Sequence, residues 1–389
     1  MVVAGNHVMF PSVNRDAKPR IPQNIGVLGA RGMGSDLAYA CAVAGYSVVL
    51  LDVSSEALDE GVERIRKILA IEKKNERLSE GLAIERLTRI TMSQDLGSLA
   101  DADLVIEAAV DSMATKKQIF KTLGALCKPG AVLAPCTSAL DVNQIALATT
   151  RATDVVGLHF IGSTVDSRVV EVINGQHTAA DTLLICQAFI NSLSKTGVIV
   201  GNSFGFVGGR MRHCYHREIL RLQQNGAPPE RVDKALAGWG MASGHDSIID
   251  LAELDQDTCA YSNSASACAA ADAGQSGENW AHNNCTKHFT LDSDEIIRRC
   301  IYTLINEGAH LLEEGVALRA ADIDKICVLG YGFPANRGGP MAYADETGLN
   351  AVYNDLCRFR DTYCSSYWKP APLLEQLAQD GKKFADVLN

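Results

Sequence analysis

The chain has 389 residues, 47% hydrophobic and 21% charged, a globular composition long enough for two or three domains. A net charge of −10 argues against nucleic acid or an anionic membrane as the main partner, and no apolar run reaches the roughly 18 residues of a membrane-crossing helix. Twelve cysteines occur without a C-x-x-C pair or a zinc-like His/Cys spacing, so they read as thiols in a reducing compartment, and no metal site is expected.

Residues 1–24 read as an extended arm, with neither a secretory signal nor a good transit-peptide shape. IGVLG (25–29) is a buried-strand run, and 33–45 reads as a helix ending at Gly45. YSVVLLDV (46–53) is a second strand with Asp52 at its end, followed by a charged amphipathic helix over 55–75. DADLVIEAAV (101–110) is a third strand, KKQIFKTLGALC (116–127) a helix, and AVLAPCTSAL (131–140) a fourth strand with its loop. VVGLHF (155–160), RVVEVI (168–173) and GVIVG (197–201) add three more. Strands alternating with helices predict an α/β fold, a Rossmann-type doubly wound and largely parallel sheet over 25–202.

After Asn202 the pattern is helical. Residues 222–255 align with 312–350: Asp233 matches Asp324, Gly238-Trp239-Gly240 matches Gly330-Tyr331-Gly332, and Asp250 matches Asp345. The reading is an all-α domain of two pseudo-symmetric copies, 203–259 and 293–389, that cover each other's apolar faces. The small, polar, aperiodic stretch between them, 260–292, reads as a low-complexity loop.

The turn GARGMG (29–34) has the strand–turn–helix context of a dinucleotide site. Gly29 and Gly34 hold the first and third places of G-x-G-x-x-G, Arg31 holds the second, and a glycine is displaced to Gly32. Asp52 lies where an acid binds a ribose 2′-hydroxyl and favours NAD over NADP. Arg31 can contact a phosphate or fill the site. Asp36, in the first helical turn, would compete with a bound anion. The expectation is weakened or lost NAD binding, with the Arg31 side chain lying over the amides of the helix N-terminus.

From His159-Phe160 onward the string becomes familiar. Residues 25–255 resemble the L-3-hydroxyacyl-CoA dehydrogenases of fatty-acid β-oxidation, and GYGFPANRGGPMAYAD (330–345) is similar to the C-terminal repeat of the multifunctional β-oxidation enzymes, which fuse a hydratase to this dehydrogenase. Only the dehydrogenase half is expected here. The resemblance implies an NAD-dependent oxidation of an acyl-CoA substrate at its 3-hydroxyl. It makes His159 the catalytic base, Glu171 the carboxylate that orients it, and Ser138 the hydroxyl that binds the substrate oxygen. It places Gly29, Gly32, Gly34, Asp52 and Glu107 at the cofactor, with Lys117 nearby.

The chain departs from the family pattern in several places. Gly209 in GFVGGR stands where the family has Asn, HFIGS (159–163) lacks the usual proline, and Cys136 replaces an Asn two residues before Ser138. SGHD (243–246) replaces M-G-P-F, and a basic G-x-K-x-G segment is absent. These motivate a second reading, a catalytically impaired pseudoenzyme kept as a scaffold or accessory subunit of a larger mitochondrial assembly. A mitochondrial setting is expected ahead of a peroxisomal one, and DVLN is no peroxisomal address.

Overall fold

The computed structural model describes residues 20–75, 78–162, 167–242, 291–363 and 366–387. The chain divides into two compact units at Phe206/Val207. No described helix is long and apolar enough to cross a membrane.

The first unit begins with β1 (Asn24–Leu28), α1 (Met33–Val43), β2 (Ser47–Leu51), α2 (Ser55–Lys74), α3 (Glu80–Thr88) and β3 (Ile90–Ser93). It continues with β4 (Leu104–Glu107), α4 (Met113–Leu126) and β5 (Val132–Pro135). The five strands form a parallel sheet in the order β3-β2-β1-β4-β5. Such a sheet is covered on both faces, so its inner strands are apolar: Val27, Leu50, Leu104 and Ile106 are fully buried. The order reverses between β1 and β4, which opens a crevice beyond their carboxyl ends. Residues 76–100 carried no expectation, yet they hold α3 and β3. β3 (ITMS) is an edge strand without a fully buried residue, so it lacks the apolar run that marks the others.

The second half of this unit differs from the single largely parallel sheet expected. After α5 (Val142–Ala146), β6 (Gly157–Phe160), β7 (Val169–Asn174) and β8 (Thr196–Gly201) form a separate three-stranded sheet, with α6 (Ala180–Ser192) between β7 and β8. β6 and β7 are antiparallel, β7 and β8 parallel. The reason is connection length: 161–168 is too short for a parallel crossover, whereas 175–195 contains a helix and makes one. Single bridges, Leu133 to Val155 and Cys136 to Leu158, join β5 to the edge of the second sheet.

The second unit is helical: α7 (Gly208–Gln224), α8 (Pro229–Trp239), α9 (Ser293–Glu313), α10 (Ala320–Gly330), α11 (Pro340–Thr347), α12 (Leu349–Tyr363) and α13 (Pro372–Asp380). The matched turns of the two repeat copies meet reciprocally. Gly240 (φ +110°) lies against Pro334, and its counterpart Gly332 (φ +67°) lies against Ala242, the counterpart of Pro334. Ala242 N–H donates to Gly332 O (2.9 Å), and the Trp239 and Phe333 rings pack edge-on at 5.4 Å. Asp250, the SGHD run and the low-complexity loop up to 290 lie outside the described residues.

Asp324, the repeat's matched acid, is buried on α10 and accepts N–H bonds from Met341 (2.7 Å) and Ala342 (3.2 Å) at the start of α11. Burial raises its carboxyl to about 7, against the pull of those two N–H groups. A raised folded-state value binds the proton more tightly than the unfolded chain does, whose carboxyl titrates near ~3.9. The stability it contributes is therefore full below about 4 and is lost as pH rises through about 7. Denaturant unfolding at pH 5 and pH 8 checks this: the wild type loses stability over that interval, and Asp324→Asn removes most of the loss.

Candidate active site

The turn after β1 is held by contacts that only glycine permits. At Gly29 (φ +103°) a Cβ would stand 2.8 Å from the Ala108 carbonyl. At Gly34 it would stand 1.8 Å from Gly29 O, and at Gly61 of α2 it would stand 2.5 Å from Ala30 O. Gly32 (φ +47°) precedes α1, and a Cβ there would meet nothing within 4 Å, so the turn faces open space on that side. Asp52, at the end of β2, accepts from Ala30 N–H (2.9 Å) and Ser54 N–H (3.1 Å) and ties the turn to the start of α2. A tight turn with a free face, a helix N-terminus and an acid at the end of β2 fit a dinucleotide. Gly34→Ala forces β1 and α1 apart; on the order of 3 kcal/mol of stability is lost in denaturant unfolding, together with NADH binding. A variant that melts and binds like wild type would refute this account of the turn.

The two residues expected to spoil the turn do not occupy it. Arg31 turns away from the amides and pairs with Glu60 on α2, Nε to Oε2 at 2.9 Å. Asp36 is buried and meets the Arg64 guanidinium through both oxygens, at 2.5 and 2.7 Å. Its charge is neutralised from α2, where bidentate geometry is strong, so it presents no open anion to a ligand.

Glu107, which the family resemblance puts near the cofactor, ends β4. Its side chain is fully buried, accepting from Lys116 Nζ (2.6 Å) and from Ala109 N–H (2.9 Å). Burial raises its carboxyl above the ordinary range, opposed by the Lys116 ammonium. Lys116 donates further to Cys136 O (2.7 Å) and lies 3.6 Å from Asp111, so one ammonium gathers the loops after β4 and β5. Lys117, the residue that the family resemblance pointed to, lies on the surface and donates to Gln144. The signal that separates the two lysines is present in the sequence. Lys116 precedes the fully buried Phe120 by four residues and shares its helix face, whereas Lys117 does not. Asp111 escaped sequence reasoning as well, because a half-exposed acid in a loop has no periodic mark.

His159 on β6 and Glu171 on β7 are direct cross-strand partners. His159 Nδ1 lies 2.6 Å from Glu171 Oε2, with Glu171 fully buried and the imidazole only 14% exposed. The Phe206 ring packs beside the imidazole at 5.9 Å. Phe206 is buried with φ +51°, a backbone region bulky residues avoid, so the turn before α7 holds it there. Ser138 sits at the neighbouring edge: Cys136 bridges Leu158, and Thr137 N–H donates to Leu158 O (3.2 Å), one residue from His159. Thr137 carries the loop's own bonds. Its hydroxyl donates to Asp111 (3.0 Å) and accepts from Leu140 N–H (2.9 Å), while the Ser138 hydroxyl bonds to no other described residue.

The chain matches two family models, "3-hydroxyacyl-CoA dehydrogenase, NAD binding domain" over residues 24–203 and "3-hydroxyacyl-CoA dehydrogenase, C-terminal domain" over 296–385. The peroxisomal bifunctional enzyme of Cavia porcellus is 31% identical over 418 residues; the match covers 94% of this chain but only 57% of that protein's length. The 3-hydroxybutyryl-CoA dehydrogenase of Escherichia coli shares the fold, with a TM-score of 0.79 at 22% identity over 93% of this chain and 99% of its own. So does the dehydrogenase part of multifunctional enzyme 1 from C. elegans, with a TM-score of 0.67 at 22% identity over 95% and 93%. The expected mitochondrial setting is overturned, because the Cavia porcellus relative and its Homo sapiens counterpart are peroxisomal by name. The impaired-scaffold alternative finds no support in these matches.

Proposed function

Because the chain belongs to the 3-hydroxyacyl-CoA dehydrogenase family and keeps the His159–Glu171 pair at 2.6 Å, we propose that it oxidises L-3-hydroxyacyl-CoA to 3-oxoacyl-CoA with NAD. The turn amides and Asp52 would hold NAD, whose chemistry is to take up a hydride from the carbon that bears the hydroxyl. His159 Nε2 takes the proton of the 3-hydroxyl. Glu171 holds the ring through Nδ1–H, fixes the tautomer that leaves Nε2 basic, and stabilises the imidazolium that forms. Ser138 donates its hydroxyl to the substrate oxygen.

The family's Asn is Gly209 here, so one side-chain donor to the substrate is missing; a donor of this kind is worth about 10²–10³ in rate. The reading is therefore a slow but competent dehydrogenase, and we place it in the peroxisomal setting of its relatives. The test is NADH formation from L-3-hydroxyacyl-CoAs of short, medium and long chain. Turnover of at least one, abolished in His159→Gln, supports the reading. Tight NADH binding with no turnover of any of them would refute it.

A further inference from the structure

Arg31 is the residue of the turn whose chemistry the family pattern does not account for. It occupies the second glycine place, yet its side chain neither fills the turn nor packs. The Arg31 and Glu60 side chains are 64% and 59% exposed, and an ion pair so open to water is weak and screened. Glu60 neighbours Gly61, whose missing side chain lets α2 press against Ala30, so the pair stands at the rim of the turn itself. Of the other charges close by, Asp36 is committed to Arg64 and Asp52 to Ala30 and Ser54 N–H, while Glu56 accepts from the Ser54 hydroxyl (2.7 Å) and also feels the Arg31 charge. A diphosphate arriving at the N-terminus of α1 thus finds the Arg31 cation at hand, held only loosely.

We propose that Arg31 is a diphosphate clamp, parked on Glu60 in the free protein and transferred to the dinucleotide when it binds. The transfer exchanges a solvent-exposed carboxylate partner for a doubly charged one lying on a helix N-terminus, where guanidinium–phosphate bonds are strong. It makes up for the closer approach to bare backbone that a glycine in this place would allow. A 2′-phosphate is the other group a guanidinium could seek, but the carboxylates of Asp52, Glu56 and Glu60 crowd the β2–α2 side where it would lie.

The inference rests on the turn taking a dinucleotide, and the test separates the two. NADH, NADPH and ADP-ribose are titrated by fluorescence or calorimetry against wild type, Arg31→Ala, Glu60→Gln and the double variant, with thermal melts as the folding control. Arg31→Ala weakens NADH and ADP-ribose alike by about tenfold and flattens the dependence on KCl. Glu60→Gln, by freeing the clamp, tightens both by about threefold, and this gain vanishes in the double variant. Arg31→Ala binding NADH as wild type does, a Glu60→Gln gain that survives without Arg31, or an effect confined to NADPH each overturns the clamp. Failure of wild type and every variant to bind NADH overturns the dinucleotide reading as well.

Discussion

His159→Gln lowers kcat for L-3-hydroxyacyl-CoA oxidation by about 10²–10⁴ and leaves NADH affinity within about twofold of wild type. The separation follows from where the two functions lie. In the proposed reading NADH binding draws on the turn after β1 and on Asp52, whereas the imidazole belongs to the second sheet. Gln is close in size and keeps a polar end near Glu171, so the loss reports the missing base rather than a collapsed pocket. Glu171→Gln should also lose most of kcat: an amide can accept from Nδ1–H but cannot offset an imidazolium in a buried place. Stopped-flow measurement of the first turnover, beside NADH titration, checks both. Equal losses of kcat and NADH affinity in His159→Gln would mean that the ring is a structural part of the cofactor site instead.

How far the sequence foretold this site depends on the kind of signal each residue carries. Gly29, Gly34 and Asp52 sit in a turn whose chemistry is local, so their spacing alone places them, and the structure supplies the close approaches that make the glycines necessary. His159 and Glu171 are twelve residues apart and meet because β6 and β7 turn back on each other. Strand periodicity gives the two strands, but their pairing came only through the family resemblance. Arg31 and Asp36 were misjudged because their partners, Glu60 and Arg64, lie on α2, and charge placement on a charged helix is degenerate from sequence. The same holds for Glu107, whose buried partner Lys116 lies on α4 rather than beside it in the chain. The edge strand β3 escaped because an edge needs no continuous apolar run.

Lys116 carries the largest expected effect on stability. Lys116→Met removes the cation from a pair in which neither side chain touches water, leaving Glu107 a buried acid without a countercharge; the cost is about 3–5 kcal/mol in denaturant unfolding. Attraction between the pair is not the main reason, since a buried pair repays little beyond its own desolvation. The penalty comes from stranding one member. Glu107→Gln combined with Lys116→Met therefore recovers at least ~2 kcal/mol of the loss, because no charge is then buried. The single variant also acquires a pH dependence of known sign. Burial already raises the Glu107 carboxyl, and without the ammonium it rises further, so the folded variant takes up a proton that the unfolded chain releases. Stability of Lys116→Met then falls more steeply than that of the wild type as pH increases from 5 to 8, while the double variant keeps only the slope that Asp324 gives. Recovery of stability need not restore activity. Lys116 also fastens Cys136 O and sits beside Asp111, whose carboxylate holds Thr137 next to Ser138. With Met in its place that loop loses its anchor, and kcat stays depressed in a protein that is folded and binds NADH. If the single variant loses less than about 1 kcal/mol, water reaches Glu107 in solution and the pair does not anchor the site.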